Sequence, residues 1–222
     1  TLDSHSKQIE LIRHTADELN TPVGILVDVP GFKYRTGVMS PERVELRPSD
    51  EITLTSREII GDSSIITVSP PGIHSDATIG GPILINDGFI VLNVKEINGL
   101  DVKCEVIIGG YLSKLKGVAT PGKSPSYDFP GEKTLEALSF AYDQRADFIA
   151  LSTVRSSSDV HTIRNQVLRD DYNPFIISKI ERSDALEDFN SILEVSDGIM
   201  VARGDMGVEV PLSSVPVIQK DL

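Results

Sequence analysis

Apolar residues recur at two different spacings along this chain, and the change of spacing divides it into three parts. Residues 6–20 carry apolar side chains at helical intervals, with Ser4 or Ser6 as the expected cap. The run VGILVDV (23–29) is apolar almost throughout, which is typical of a buried parallel strand. From residue 31 to residue 122, by contrast, short runs that alternate or are β-branched lie between dense turn residues. The chain thus changes character at residue 31.

The segment 31–122 is predicted to be all β. Asp87-Gly88 and Asn98-Gly99 are dipeptides that favour tight hairpins between neighbouring strands. The runs that we predict as strands are VELR, EITLT, SIITVS, PILIND, FIVLNVKEI and VKCEVII. Their number and length are typical of a compact all-β domain of roughly 90 residues.

Helices and strands alternate again after residue 122. The pattern predicts helices over residues 134–144, 157–170, 184–195 and 212–222, and strands over residues 147–154, 174–180 and 197–203. Asp184 with Glu187 resembles a capping box at the start of the third helix. The strands start at residues 147, 174 and 197, so one unit repeats every 23 to 27 residues. Such a repeat indicates a parallel sheet.

An open doubly wound sheet and a (β/α)8 barrel both satisfy this repeat. Polar residues favour the barrel, because the C-terminal ends of barrel strands meet at one mouth. The polar residues at predicted strand ends are Asp28, Arg155, Lys179, Glu181, Arg203 and Asp205. No GxGxxG motif follows a strand, which weakens the dinucleotide-fold interpretation. We therefore predict an α/β fold: residues 1–30 and 123–222 form a (β/α)8 TIM-type barrel, incomplete in this chain, and residues 31–122 form an inserted all-β lid domain.

Composition excludes several classes of function. The net charge of −12, from 21 basic and 33 acidic residues, argues against a surface for nucleic acid or anionic membranes. The single Cys104 cannot form an internal disulfide, which fits the reducing cytoplasm. The four histidines lack the spacing of a zinc site, and no apolar run is long enough to span a membrane. The chain starts at Thr1 and ends within a predicted helix, so we expect it to be part of a longer protein.

Three charged residues at two strand ends form the strongest candidate site. Glu181 and Asp205 would face the same mouth from adjacent strands, and two carboxylates suit Mg²⁺ or Mn²⁺. Lys179 lies two residues before Glu181, so both side chains point the same way from a strand. A lysine beside a metal ion stabilises negative charge on a phosphoryl or enolate oxygen. Gly204 would let a ligand approach the backbone. The alternative is a structural ion pair at the barrel rim.

Further cations lie where the chain enters and leaves the β domain, at Lys33, Arg35 and Lys116. A hinged insertion that carries them could close over phosphate groups. The alternative is that they are solvated loop charges. From its apolar context we expect Asp28 to be buried, as a partner of the site.

Several segments resemble the signature regions of pyruvate kinase. SKIE (178–181) and SDGIMVARGDMGVEVP (196–211) resemble the family's K-I-E strand end and its S-D-G-I-M-V-A-R-G-D-L-G-V-E motif. Four further segments resemble other family motifs: LSTVRSSSDV, VDVPGFKYRTG, INDGFIVLNV and KGVATPG. The resemblance covers essentially the whole chain. It implies an all-β lid inserted after the third barrel strand, which is where the spacing changes here.

The resemblance implies a glycolytic, cytoplasmic phosphotransferase that moves a phosphoryl group from phosphoenolpyruvate to ADP, giving pyruvate and ATP. It implies that Glu181 and Asp205 hold the divalent metal ion, Mg²⁺ or Mn²⁺. Lys179 would stabilise the transferring phosphoryl group and the enolate. The backbone of Gly204 and Asp205 would line the pocket for the substrate carboxylate.

The resemblance also implies roles around the lid. Arg35 and Lys116 would contact nucleotide phosphates. Most members bind K⁺, in a region that here contains Ser4 and Asp28, and a glutamate in the lid hinge accompanies that dependence. Lys33 occupies the glutamate's position, and some members with lysine there do without K⁺. We therefore predict that the Lys33 ammonium replaces K⁺, which is then not required. The resemblance also implies that the complete protein is a homo-oligomer.

Two other functions are compatible with parts of this pattern. A metal-dependent aldolase or lyase that handles pyruvate enolates on a related barrel shares the Glu/Asp pair, but needs neither a β lid nor Arg35. A different class is a catalytically silent interaction module that retains the barrel edge, and a further alternative is a catalytically incomplete fragment of the enzyme. Metal-dependent binding of oxalate, a mimic of the pyruvate enolate, separates the silent module from either enzyme.

Overall fold

The computed structural model describes residues 1–122, 126–127 and 129–222. The chain forms two compact units, the first from residues 1–31 and 128–202 and the second from residues 32–127 and 203–222. The predicted domain division at residues 30/31 and 122/123 stays a prediction; it assigned residues 203–222 to the α/β part, whereas they group here with the second unit. No helix in the described ranges is long and apolar enough to cross a membrane.

The helices and strands follow one another in this order. Up to residue 119 they are α1 (Leu2–Glu18), β1 (Leu26–Val29), β2 (Tyr34–Thr36), β3 (Arg43–Leu46), β4 (Glu51–Thr55), β5 (Ile65–Ser69), α2 (Ile73–Asp76), β6 (Pro82–Ile85), β7 (Ile90–Asn98), β8 (Asp101–Ile108), β9 (Gly110–Ser113) and β10 (Gly117–Ala119). They continue as α3 (Glu132–Asp143), β11 (Phe148–Leu151), α4 (Ser157–Val167), β12 (Phe175–Ile180), α5 (Ser183–Glu187), α6 (Phe189–Val195), β13 (Gly198–Val201), α7 (Arg203–Glu209), a 3₁₀ helix (Leu212–Ser214) and α8 (Val215–Asp221).

One parallel sheet, with strand order β1-β11-β12-β13, organises the first unit. This confirms the predicted parallel sheet and the α/β class. Its central strands are aliphatic and buried, as Ile149 illustrates. The register pairs Asp28 with Ala150 and Leu151 with Ser178. The C-terminal ends of the strands therefore lie along one edge of the sheet.

Helix boundaries differ from prediction where a polar side chain has a partner that sequence spacing does not reveal. Helix α1 begins at Leu2, because Thr1 and not Ser4 or Ser6 is its N-cap. The Thr1 hydroxyl accepts a hydrogen bond from the backbone N–H of Ser4, at 3.4 Å. The helix therefore starts four residues before the predicted start at residue 6.

The predicted helix 184–195 is two helices, α5 and α6, which meet at Asp188. The Asp188 carboxylate accepts the backbone N–H of Ser157 at 2.8 Å, at the start of α4, and this contact lowers the pKa of Asp188. The predicted capping box is also wrong: Asp184 accepts from the guanidinium of Arg182, at 3.0 Å, instead of capping the helix with Glu187. In both cases a carboxylate contacts a residue that the helical spacing does not predict as its partner.

The second unit contains a closed barrel of seven strands in the order β10-β2-β5-β4-β8-β7-β6. β4 and β5 pair in parallel and the other neighbours are antiparallel, while β3 and β9 form a separate two-stranded sheet. Each of the six predicted runs contains a strand. The turns at Asp87-Gly88 and Asn98-Gly99 join β6 to β7 and β7 to β8, as predicted. Aliphatic side chains such as Leu54 and Ile83 fill the core and are completely buried.

Contacts between aromatic and polar side chains hold together the two ends of the segment from Phe32 to Tyr127. The rings of Phe32 and Tyr127 stack, with centroids 4.0 Å apart and planes 8° from parallel. The hydroxyl of Tyr34 donates to the buried Asp76 carboxylate at 2.7 Å, and the backbone N–H of Ser126 donates to the same carboxylate at 3.1 Å. Burial, together with the Asp76 hydrogen bond, raises the pKa of Tyr34. We call these five residues the terminal clasp.

Cys104 lies in the barrel core, 1% exposed, and burial raises the pKa of its thiol to about 12. The unfolded thiol loses its proton near pH 9, so the native state binds one more proton than the unfolded state between these values. The stabilisation is complete below pH 9 and is lost as the pH rises towards 12. Relative to Cys104→Ala, the wild type should lose about 1.4 kcal/mol of unfolding free energy between pH 8 and pH 10. Urea unfolding of both proteins at both pH values measures this, and a difference independent of pH would contradict it.

Candidate functional site

Lys179 and Glu181 lie where β12 ends in the first unit. Their side chains are only 11% and 6% exposed, and Lys179 Nζ lies 3.5 Å from Glu181 Oε1. Alternate residues of a strand share a face, so the spacing of Lys179 and Glu181 explains why their side chains point the same way, as predicted. A buried lysine beside a buried carboxylate is costly without further hydrogen bonds. The site therefore depends on the other partners of the lysine.

The ammonium group of Lys179 contacts two more side chains from neighbouring strands. Its Nζ donates to Asp28 Oδ2 at 3.0 Å and Oδ1 at 3.2 Å, and to Ser152 Oγ at 3.0 Å. The Ser152 hydroxyl in turn donates to Asp28 Oδ1 at 3.0 Å. The three strands β1, β11 and β12 therefore bring Asp28, Ser152 and Lys179 into one cluster. In this cluster, one positive charge lies between oxygen atoms.

The expectation that Asp28 is buried is wrong, since its side chain is 56% exposed. The reason is that β1 is an edge strand of the described sheet, so its apolar composition does not enclose it. Ser152 was missed by the sequence analysis. A usable signal existed, because Ser152 directly follows β11 at the same edge of the sheet as Lys179.

Asp205 and Lys33 form an ion pair within the second unit. Lys33 Nζ donates to Asp205 Oδ1 at 2.6 Å, and the two side chains are 37% and 42% exposed. Asp205 lies in the first turn of α7, so its predicted position at a strand end is wrong: β13 stops at Val201 and the chain becomes helical at Arg203. At Gly204 an added Cβ would meet nothing within 4 Å, so packing in the described structure does not require glycine there.

Arg35 and Lys116, the predicted nucleotide contacts, lie on neighbouring segments of the second unit. Arg35 on β2 is paired with Gly117 on β10, so Arg35 and Lys116 come from adjacent strand segments. The guanidinium of Arg35 donates to the Leu115 carbonyl at 3.1 Å and is otherwise exposed. The Lys116 backbone N–H donates to the Thr36 hydroxyl at 2.9 Å. The strand pairing therefore places the two residues on neighbouring backbone segments.

The other predicted residues are placed individually. Ser4 is exposed in the first turn of α1. Arg155, which follows β11, is held by Asp159: its guanidinium donates to both carboxylate oxygens, at 3.0 and 2.9 Å. Arg203 begins α7.

Within the described parts of the chain, no three His, Cys, Asp or Glu side chains converge as a metal cluster. A metal site here would rest on fewer protein ligands, as is usual for Mg²⁺.

Comparison with known proteins places the geometry in context. The family model described as "Pyruvate kinase, barrel domain" matches residues 1–222. A pyruvate kinase of Thermococcus litoralis is 38% identical over 222 residues, which is 100% of this chain and 47% of that protein. Pyruvate kinase 2 of Synechocystis sp. is 40% identical over 98% of this chain and 38% of its own length. A pyruvate kinase of Clostridium perfringens is 38% identical, over 99% of this chain and 47% of that protein. The chain thus spans less than half the length of these curated relatives.

Proposed function

This chain belongs to the pyruvate kinase family, and from this premise we propose that the protein transfers a phosphoryl group from phosphoenolpyruvate to ADP, giving pyruvate and ATP. The observation that carries the proposal is Lys179, a nearly buried ammonium at the end of a parallel strand. Phosphoryl transfer requires positioning and charge stabilisation more than covalent chemistry from the protein. The Lys179 ammonium would stabilise negative charge on the transferring phosphoryl group and then on the enolate oxygen.

Glu181 and Asp205 are proposed to hold Mg²⁺ or Mn²⁺. Carboxylate oxygens are the ligands that these hard cations prefer, and two protein ligands leave positions for water and substrate oxygens. When bound, the ion would neutralise charge on the phosphate oxygens. The Glu181 side chain is only 6% exposed, so water screens its charge little and the carboxylate would attract a cation strongly. The Asp205 assignment rests on the family motif; one of its carboxylate oxygens accepts from Lys33.

The remaining roles follow from the family motifs. The backbone at Gly204 and Asp205 would bind the substrate carboxylate, and Arg35 and Lys116 the nucleotide phosphates. Lys116 directly precedes β10, which pairs with the strand that contains Arg35, and this neighbourhood of the two segments supports the second assignment. We propose that the first unit is part of a (β/α)8 barrel, that the seven-strand barrel acts as its lid, and that the protein is a cytoplasmic homo-oligomer. The family match does not favour the aldolase or lyase alternative.

We further propose that the Lys33 ammonium replaces K⁺, so that the enzyme works without a monovalent cation in the region of Ser4, Asp28 and Lys33. In support, Lys33 Nζ already pairs with Asp205, at 2.6 Å. We expect turnover in tetramethylammonium buffer to lie within about twofold of turnover in K⁺, because a fixed ammonium supplies the charge. Turnover by Lys33→Glu should fall at least tenfold without K⁺ and should recover when K⁺ is added.

Lys103→Glu is the matched control for this experiment, since Lys103 pairs with Glu96 on the barrel surface at 2.8 Å. It makes the same change from positive to negative charge in the same unit and should leave the K⁺ response unchanged. A strict K⁺ requirement in the wild type would refute the assignment of Lys33.

The function itself is tested by measuring pyruvate formation from phosphoenolpyruvate with Mg²⁺, with and without ADP. ADP-dependent pyruvate formation with stoichiometric ATP supports the kinase. Pyruvate released independently of ADP would point to another enolate reaction. If there is no turnover, oxalate binding that requires Mn²⁺ would show an incomplete enzyme, and no oxalate binding would leave only an interaction module.

A further inference from the structure

Lys179 is held in place by a closed ring of hydrogen bonds that the proposed chemistry does not itself require. Its ammonium donates to Asp28 and to Ser152, and Ser152 donates to the same Asp28 carboxylate, with all the shortest distances at 3.0 Å. Ser152 therefore uses its hydroxyl in both directions, as acceptor from the lysine and as donor to the aspartate. Removing that hydroxyl would leave one N–H of Lys179 and one oxygen of Asp28 without their present partner.

The Ser152 hydroxyl is oriented by a backbone that is fixed from two sides. Its own N–H donates to the Val29 carbonyl at 3.2 Å, which continues the pairing of β11 with β1. On the other side, Thr153 adopts a left-handed conformation with φ of 55°, which is strained for a β-branched residue. Gly31 lies against this turn, and an added Cβ at residue 31 would come within 2.6 Å of the Ser152 carbonyl oxygen. Strain of this kind persists where the surrounding structure fixes it, often at functional sites.

Asp28 alone would position the lysine less well. Its carboxylate is 56% exposed, so solvent screens the ion pair and the carboxylate has room to move. Lysine has a flexible four-carbon side chain whose ammonium adopts many positions unless it is held. The half-buried Ser152 hydroxyl supplies a second, fixed oxygen at 3.0 Å. The Ser152 hydroxyl thus adds a fixed direction to the attraction of Asp28 and of the buried Glu181, and narrows the positions open to the ammonium.

We propose that Ser152 is a positioning residue for Lys179, and that it acts by bridging Lys179 Nζ and the Asp28 carboxylate. The inference rests on the proposed function for the part that Lys179 plays in phosphoryl transfer. The geometric part, that Ser152 orders the ammonium, does not depend on the reaction. Ser152 touches neither phosphoenolpyruvate nor nucleotide in this proposal; it holds the group that does.

The test compares Ser152→Ala with Ser152→Thr and with the matched control Ser178→Ala. Ser178 is a fully buried serine on the adjacent strand β12, and its hydroxyl contacts Ser196, at 2.7 Å, rather than Lys179. Ser152→Ala should lower kcat about tenfold with little change in KM for phosphoenolpyruvate, because a misplaced lysine weakens interactions made only in the transition state. Ser152→Thr keeps the hydroxyl and should recover most of the loss. Ser178→Ala should remain within about twofold of the wild type.

A crystal structure of each full-length variant supplies a readout independent of turnover. The Lys179 ammonium should occupy one position in the wild type and in Ser178→Ala, and several positions in Ser152→Ala. An ordered, unmoved Lys179 in Ser152→Ala would overturn the proposal. So would a kcat for Ser152→Ala equal to that of Ser178→Ala in an active enzyme. If the wild type itself forms no pyruvate, the proposed function fails, and the crystal structures still decide the positioning role.

Discussion

Replacing Lys179 with methionine should lower kcat for phosphoenolpyruvate about 10²–10³-fold, the loss expected when one preorganised donor is removed from a developing negative charge. Methionine fills a volume similar to that of the lysine side chain, so the nearly buried site at the end of β12 stays packed. The KM for phosphoenolpyruvate should change much less than kcat, because the lost interaction strengthens as charge develops. Steady-state kinetics with saturating ADP and Mg²⁺ measure both constants.

Lys7→Met is the control for this substitution, since Lys7 is an exposed residue of α1 in the same unit. It should have no measurable effect on kcat, and circular dichroism should show both variants folded. If Lys179→Met kept more than a tenth of the wild-type kcat, Lys179 would be a structural partner of Asp28 and Glu181 and not a catalytic residue.

Glu181→Gln should weaken Mn²⁺ binding at least tenfold, because an amide oxygen lacks the charge that a hard cation requires. Calorimetry or the electron paramagnetic resonance of free Mn²⁺ measures this in the absence of substrate, so the result does not depend on turnover. Asp205→Asn should weaken binding by a comparable factor if the two carboxylates share one ion.

Glu194→Gln provides the matched control for the metal experiment, since Glu194 is exposed on α6 in the same unit as Glu181. It should bind Mn²⁺ as the wild type does. Equal Mn²⁺ affinity in the wild type and Glu181→Gln would remove Glu181 from the metal site. Weak binding in Glu181→Gln with unchanged binding in Asp205→Asn would remove Asp205 alone.

The sequence predicts the elements that depend on local pattern. The strands β11 to β13, the helices α3 and α4 and the hairpins of the barrel all follow from apolar periodicity and turn residues, which act over a few positions. The predictions that are wrong concern the point where a strand gives way to a helix, which the pattern over a few positions does not determine. The run DGIMVAR was predicted as a strand to residue 203, yet the strand ends at Val201 and α7 begins at Arg203. Helix propensity over so short a segment is too weak to reveal this change.

The candidate site was predictable only in part, for a related reason. Strand alternation is local, so the common face of Lys179 and Glu181 could be derived from two letters of sequence. The pairing of Lys179 with Asp28 and Ser152 joins residues more than twenty positions apart; Asp28 was expected to be a partner of the site, whereas Ser152 does not stand out by composition. The exposure of Asp28 depends on which strand lies at the sheet edge, and this follows from topology rather than from the apolar run that contains it.

The terminal clasp has a consequence for the entropy of closing the long segment from Phe32 to Tyr127. Closing a long loop costs entropy that grows slowly with its length, but the loop ends must still be brought together. Here the Phe32–Tyr127 stack and the Asp76 hydrogen bonds hold the ends side by side within the segment itself. The segment therefore closes its ends by contacts of its own. An insertion that closes its own boundary can be lengthened, shortened or exchanged over evolution with little disturbance to its host.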